Sequence, residues 1–154
     1  MLDPIRAAIV AKINTVPNIG QVHGYQRFAA REKDLANLYV LDGQLRGWFV
    51  RRLSVLEKTE GNATNSEQTH WLIRGYMALD DNNASELAFD ELLDALRDAF
   101  RIDESFGVEI MDGVVESLTT KDQAGLYIED TAPVMFAGVL CHSARCVLIT
   151  RCWR

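Results

Sequence analysis

The stretch Thr69-His70-Trp71-Leu72-Ile73-Arg74-Gly75-Tyr76-Met77-Ala78-Leu79 decides the fold. It is rich in aromatic, leucine and β-branched residues and is bounded by polar turn residues, so it reads as a β-strand. In a strand, alternate side chains point to opposite faces. Trp71, Ile73, Gly75, Met77 and Leu79 then share one face, and His70, Leu72, Arg74, Tyr76 and Ala78 share the other. Both faces are partly apolar, so the strand is expected at the centre of a sheet covered on each side. Upstream, residues 48–58 form a second strand of the same character. The polar turn residues Glu60-Gly61-Asn62-Ala63-Thr64-Asn65-Ser66 lie between the two, which predicts an antiparallel hairpin with a long tip. Strict alternation in residues 48–58 places Arg52 with Trp48, Val50 and Leu56, and Arg51 with Phe49, Leu53 and Val55. Arginines on both faces of an apolar strand mark a rim or an interface.

Two helices flank this hairpin in sequence. Asp3 followed by Pro4 is the pattern of an N-cap and a first helical residue, because proline there gives up only an N–H that has no partner. Ile5, Ala8, Ile9, Ile13 and Val16 follow at helical spacing, and Pro17, Asn18 and Gly20 stop the helix. After the hairpin, Asn83 and Glu86 stand in the relation of a capping box. Phe89, Leu92, Leu93, Leu96 and Phe100 then form the apolar stripe of a second helix. Its opposite side carries Asp90, Asp94 and Asp98 at successive i+4 positions, a repulsive arrangement that Arg97 and Arg101 offset only in part.

The remaining elements are strands. Residues 21–30 are strand-like but weakly patterned, residues 113–120 form a strand, residues 124–130 a short piece, and residues 139–153 a long run. Residues 30–46 read as a long connection of the kind that does work rather than simply joining elements; they could also hold a short helix or strand. The expected order is α-β-β-β-α-β-β. This is one α+β domain spanning residues 1–154, a mainly antiparallel sheet packed with two helices.

Composition narrows the function. The chain has 154 residues, 48% of them hydrophobic and 25% charged, as in an ordinary globular domain. A net charge of −6 argues against a dedicated nucleic-acid binder, whose affinity comes from clustered Lys and Arg. No apolar run approaches the length of a membrane span, and the polar, helix-forming first residues do not read as a signal peptide. The charge is unevenly spread: residues 80–116 hold 12 acids and 2 bases, a net of −10, which leaves +4 on the rest. Such polarity suits head-to-tail contact between copies, and it also serves ordinary solubility.

Catalytic and metal signatures are weak. Cys141, His142, Cys146 and Cys152 cluster in sequence, but one extended strand spaces them too far apart to wrap a single ion, and it sends Cys141 and His142 to opposite faces. The cysteines are expected as free, buried thiols in a reducing compartment. His23 and His70 are expected as surface or satisfied core residues. The chain contains no phosphate loop, no G-x-S-x-G elbow and no H-E-x-x-H. No catalytic residue, metal ligand or cofactor is expected.

The element order resembles the tail terminator, or tail completion, proteins of long-tailed bacteriophages, and most nearly the small tail proteins of Mu-like and lambda-like prophages. The residues that carry the likeness are Leu2-Asp3-Pro4-Ile5, Leu45-Arg46-Gly47-Trp48-Phe49-Val50, His70-Trp71-Leu72-Ile73-Arg74-Gly75-Tyr76, the helix of residues 88–100, and Gly138-Val139-Leu140-Cys141-His142. The resemblance implies a structural, non-enzymatic virion protein without a cofactor. Members form a hexameric ring that caps the tail tube and then presents the head-joining surface. The implied partners are copies of the chain itself, the tail tube protein and head-tail connector proteins, with no nucleic-acid specificity and no membrane. The implied place is the virion tail, assembled in the host cytoplasm. Ring contacts are expected between Asp90, Asp94 and Asp98 of one copy and Arg51 and Arg52 of the next, with residues 30–46 reaching the tube or connector. Two alternatives stay open: another head-tail connector or tail tube protein of related fold, and a small ligand-binding or enzymatic α+β domain.

Overall fold

The computed structural model describes residues 3–102, 109–110, 113–114, 116–117 and 125–153. Its elements are α1 (Pro4–Asn14), β1 (Gln21–His23), α2 (Glu32–Leu38), β2 (Val40–Leu41), β3 (Gln44–Thr59), β4 (Asn65–Ala78), a 3-10 turn (Asp81–Asn83), α3 (Ser85–Ile102), β5 (Glu109–Ile110), β6 (Gly113–Val114), β7 (Glu116–Ser117), β8 (Tyr127–Asp130), β9 (Pro133–Phe136) and β10 (Val139–Trp153). The class is α+β. Eight strands form one sheet in the order β1-β3-β4-β10-β7, with β2 beside β3 and with β8 and β9 beside β10; β5 and β6 pair separately. Among the described residues only β1 runs parallel to its neighbour, and the other pairings are antiparallel.

β4 is the central strand, hydrogen-bonded to β3 on one side and to β10 on the other over nearly its whole length. Its two faces serve two cores, as their composition predicts. Trp71, Ile73 and Met77 join Trp48, Val50, Ala144, Cys146 and Leu148 under α1 and α3, where Ile5, Ile9, Ile13, Phe89, Leu93, Leu96 and Phe100 close the layer. Leu72 and Tyr76 join Phe49, Leu45, Tyr39 and Cys141 on the opposite face. The buried indole N–H groups find acceptors, as their burial requires: Trp48 Nε1 donates to the Ile19 carbonyl and Trp71 Nε1 to Thr150 Oγ1, each at 2.9 Å.

The second core contains a feature that residues 30–46 conceal in sequence. They are not a free loop. α2 and β2 lie across the sheet, with Leu35, Leu38 and Val40 packed against the second core and Tyr39 fully buried. Tyr39 meets Phe136 edge-on at 5.0 Å between ring centroids, and Tyr76 stacks on Phe136 at 3.9 Å. The turn around Asp42 and Gly43, both with positive φ, stands clear of this packing.

α1 starts as its first residues predict. Asp3 is the N-cap, and its Oδ1 accepts from the Ile5 N–H at 2.8 Å and the Arg6 N–H at 3.3 Å. The start of α3 differs from the expected capping box. Asn83 falls in the 3-10 turn, where its amide donates to Asp80 Oδ2 at 2.6 Å, and Ala84 adopts a left-handed conformation before the helix begins. Ser85 does the fastening instead, accepting the Asp80 N–H at 2.9 Å.

The strict alternation expected in β3 also fails, for a specific reason. The register with β4 shifts between Arg52 and Ser54, so Leu53 is an extra, bulged residue. Beyond it Val55 lies opposite Thr69, on the face of Arg52 and Trp71; Leu56 lies opposite Gln68, on the face of Arg51 and Leu72. The bulge therefore exchanges the places that alternation assigns to Val55 and Leu56. Of the expected strand over 113–120, β6 and β7 are described and the rest lies outside the described residues. The piece expected over 124–130 is β8, beginning at Tyr127; β9 was not anticipated.

Candidate functional site

The residues singled out in sequence occupy two surfaces. The first is the solvent side of α3. Its amphipathic pattern turns Phe89, Leu92, Leu93, Leu96 and Phe100 into the core, which leaves Asp90, Asp94 and Asp98 exposed together with Glu86 and Glu91. Arg97 and Arg101 pair with acids one turn back in the same helix, to Asp94 at 3.6 Å and Asp98 at 3.3 Å. Pairs this exposed contribute little to stability. They leave the flank as a whole acidic, because five carboxylates face two guanidinium groups.

The second surface is the outer half of β3. From Arg51 through Thr59 every residue is exposed, which differs sharply from residues 47–50 immediately before it. The cause is the sheet order. β1 covers the edge of β3 only at Gly47, Trp48 and Phe49, and β2 pairs only with Gln44 and Leu45. Among the described residues, no strand pairs with the other edge of β3 beyond that point. Leu53, Val55 and Leu56 are 41%, 46% and 51% exposed there, alongside Arg51, Arg52 and Lys58. Ordinary strand alternation sets Arg51 and Arg52 on opposite faces of the same edge, and Arg52 lines a small cleft with Asp3, Pro4, Glu67 and Trp71. The structure thus does not bring Arg51 or Arg52 against the α3 carboxylates within one chain.

Other clusters are structural. Cys141, Cys146 and Cys152 are buried, with Cys141 in the second core and the other two in the first. Burial pushes the Cys141 thiol up to about 11 and the Cys146 thiol up to about 12, so both stay protonated at neutral pH. Among the described residues, no three His, Cys, Asp or Glu side chains are grouped to hold a metal ion. His142 stacks on Phe89 and its Nε2 lies 2.7 Å from Ser85 Oγ, which ties the first residue of α3 to β10. His23 bonds the Leu38 carbonyl and meets Tyr39 edge-on, fastening β1 to α2. His70 lies 3.4 Å from the Gln68 amide.

Arg46, quoted in sequence only as part of the stretch 45–50 and as the end of the 30–46 segment, has a structural part of its own. Its Nη1 donates to the Asn18 carbonyl at 2.8 Å, while its Nε is buried without a hydrogen-bond partner. Clefts of about 370 Å³ and 320 Å³ open on either side of it, the first lined also by Asp80, Asn83 and Ser85, the second by Glu91 and Leu92. A lone arginine near the start of β3 carries no motif, so nothing in the one-dimensional pattern marked this role.

No helix among the described residues is long and apolar enough to cross a membrane. No protein family matches the chain, and no curated protein matches it in sequence. Among solved structures, one protein that carries no functional description shares the fold with a TM-score of 0.53 at 12% identity, over 97% of this chain and 94% of its own. At that identity the likeness concerns the fold alone.

Proposed function

We propose that this chain is a structural, non-enzymatic subunit of a long-tailed bacteriophage, a tail terminator that assembles into a ring, caps the tail tube and presents the surface to which the head joins. The observation that carries this reading is the separation of charge on one small sheet. An acidic α3 flank and an arginine-bearing, partly apolar β3 edge lie exposed on the same molecule, and neither satisfies the other within the chain. Surfaces that are complementary but cannot meet in one copy can meet between copies, and a head-to-tail contact of this kind closes into a ring when the rotation allows. In this reading Asp90, Asp94 and Asp98 of one subunit face Arg51 and Arg52 of the next. The exposed turn at Asp42 and Gly43, held out by the packed α2 and β2, contacts the tube or the connector.

The test is electron microscopy of the purified protein mixed with tail tubes. Six-fold density at one tube end is the expected outcome. Decoration along the tube would instead assign the chain to another ring level, and absence of binding would remove the tail reading. Light scattering checks the ring contact: Asp94→Arg is expected to lower the mass of the assembled species, and an unchanged oligomer would take the α3 flank out of the interface.

A further inference from the structure

We infer that the bare edge of β3 pairs with the same edge of a second copy, antiparallel and about a two-fold axis at Val55, so that the free protein is a dimer. The inference goes beyond the ring reading and does not rest on it, because a two-fold contact closes on itself.

The edge is open to a strand. Beyond Phe49 no described residue pairs with β3 on the side away from β4, and three half-exposed apolar side chains, Leu53, Val55 and Leu56, lie there. Charge on an edge strand ordinarily keeps copies apart. Here its placement favours one register.

That register follows from the bulge. Arg52, Val55 and Glu57 stand opposite Trp71, Thr69 and Glu67, alternate residues of β4, so they share one face at equal steps. Without the extra residue at Leu53, Arg52 and Val55 would fall on opposite faces. An antiparallel pair about a two-fold axis sets one residue opposite its own copy. With Val55 in that place, Arg52 of each copy faces Glu57 of the other, and two ion pairs flank a contact between the two Val55 side chains. The bulges fall symmetrically on either side of the axis.

The ends of the segment agree with this centre. Arg51 and Lys58 stand opposite Leu72 and Ser66, each three rows from Thr69, so the paired segment is 51–58. Thr59, the last residue of β3, then stops level with Val50, one row short of Phe49, where β1 takes the edge. Other centres fit worse. An axis at Ser54 drives Lys58 onto the row of Phe49. One at Leu56 sets the Glu57 carboxylate against Val55 and Arg52 against Thr59. One at Glu57 sets two carboxylates against each other.

The single chain also leaves these charges wanting a partner. Glu57 stands opposite Glu67, a destabilising like-charge pair, and among the described residues neither Arg52 nor Glu57 forms an ion pair. A guanidinium on the open side of Glu57 offsets that repulsion. The register has one cost, on the other face, where Arg51 meets Lys58 of the second copy. Both are exposed and lie at the ends of the segment, where long side chains turn apart into water. Because the dimer takes up Arg52, it must part before Arg52 can meet the α3 carboxylates of a ring neighbour.

Disulfide trapping tests the register. Residues opposite one another in an antiparallel pair have Cα atoms about 4.5 to 5.5 Å apart, within the span of a disulfide. The three native thiols are buried. Val55→Cys is expected to oxidise to a covalent dimer several-fold faster than Ser54→Cys or Leu56→Cys, since only Val55 faces its own copy. Equal rates, or a faster Leu56→Cys, overturn the inference. Charge reversal gives a second reading by sedimentation equilibrium at 0.1 M NaCl. Arg52→Glu and Glu57→Arg are each expected to weaken the dimer several-fold, and the double variant to restore it; a double variant as weak as the single ones overturns the ion pairs. The cross-linked Val55→Cys dimer is expected to cap tubes only after reduction, and capping while cross-linked would overturn the exclusion between dimer and ring. Failure of the wild-type protein to cap tubes bears on the tail reading alone.

Discussion

Gly75 has no side chain because the Trp48 ring occupies the place where one would go. A Cβ there would lie 2.2 Å from the indole, and a Cβ on Gly47 would lie 2.6 Å from the Tyr39 ring. Trp48 and Tyr39 are buried in the two different cores, so each glycine lets a large ring lie flat on the sheet. Gly75→Ala is therefore expected to destabilise the protein by about 2 kcal/mol or more, the cost of overpacking a core whose blocking group cannot swing away; urea denaturation measures it, and a loss under about 0.5 kcal/mol would show that Trp48 has room to move. Cys146 gives a residue-scale pH prediction. Its thiol is raised from 9.0 to about 12 in the folded chain by burial, so between those values the unfolded chain has lost a proton that the folded chain retains. Stability from this group is thus complete below pH 9 and falls as pH rises toward 12. Denaturation midpoints measured between pH 8 and 10.5 should fall with a shallower slope in Cys146→Ala than in the native sequence; equal slopes would assign the loss to other groups.

The elements carry contributions that local chemistry makes plain, and others that only the sheet decides. Asp3 caps α1 through two backbone N–H groups, so Asp3→Ala is expected to cost about 1 kcal/mol in thermal or urea unfolding, with Asp3→Asn nearly neutral. That cap, the apolar stripe of α3, the double-faced β4 and the hairpin it makes with β3 were all legible in sequence, because each rests on a periodic pattern or on a short-range interaction. The bulge at Leu53 was not, since one inserted residue leaves no mark on a strand whose side chains are apolar and charged on both faces. The start of α3 has a similar cause: Asn83 is taken up in the preceding turn, and Ser85, the first helical residue, is held by Asp80 and by His142, 57 residues away in sequence. α2 was hidden because its seven residues bury only one edge, Leu35, Ala36 and Leu38, against a core that forms from distant strands. Of the candidate site, the acidic flank was visible as an i+4 run of aspartates. The bareness of the β3 edge was not, because it depends on β1 being only three residues long and on β10, rather than any other strand, taking the far side of β4.

At the scale of the whole molecule, the net charge of −6 hides a dipolar arrangement that governs how copies would meet. Residues 51–59 carry a formal +2, while α3 carries −3. These groups are exposed, so their attraction across a contact is that of partly screened surface charges, modest for any single pair and additive only over a surface. Salt then distinguishes the two kinds of force available to the contact. The screening length falls from about 10 Å at 0.1 M salt to about 3 Å at 1 M, which removes all but the closest ion pairs. Burial of Leu53, Val55 and Leu56 in a contact would not be weakened in this way. Sedimentation velocity across that range of NaCl is therefore expected to show self-association weakening several-fold but persisting. Asp94→Arg should flatten this salt dependence, and Leu56→Lys should lower association at every salt concentration. Complete dissociation at high salt would mean that charge alone holds the copies together and that the apolar edge contributes nothing. Association indifferent to salt would remove the charge separation from the assembly mechanism, leaving the apolar edge as its only support.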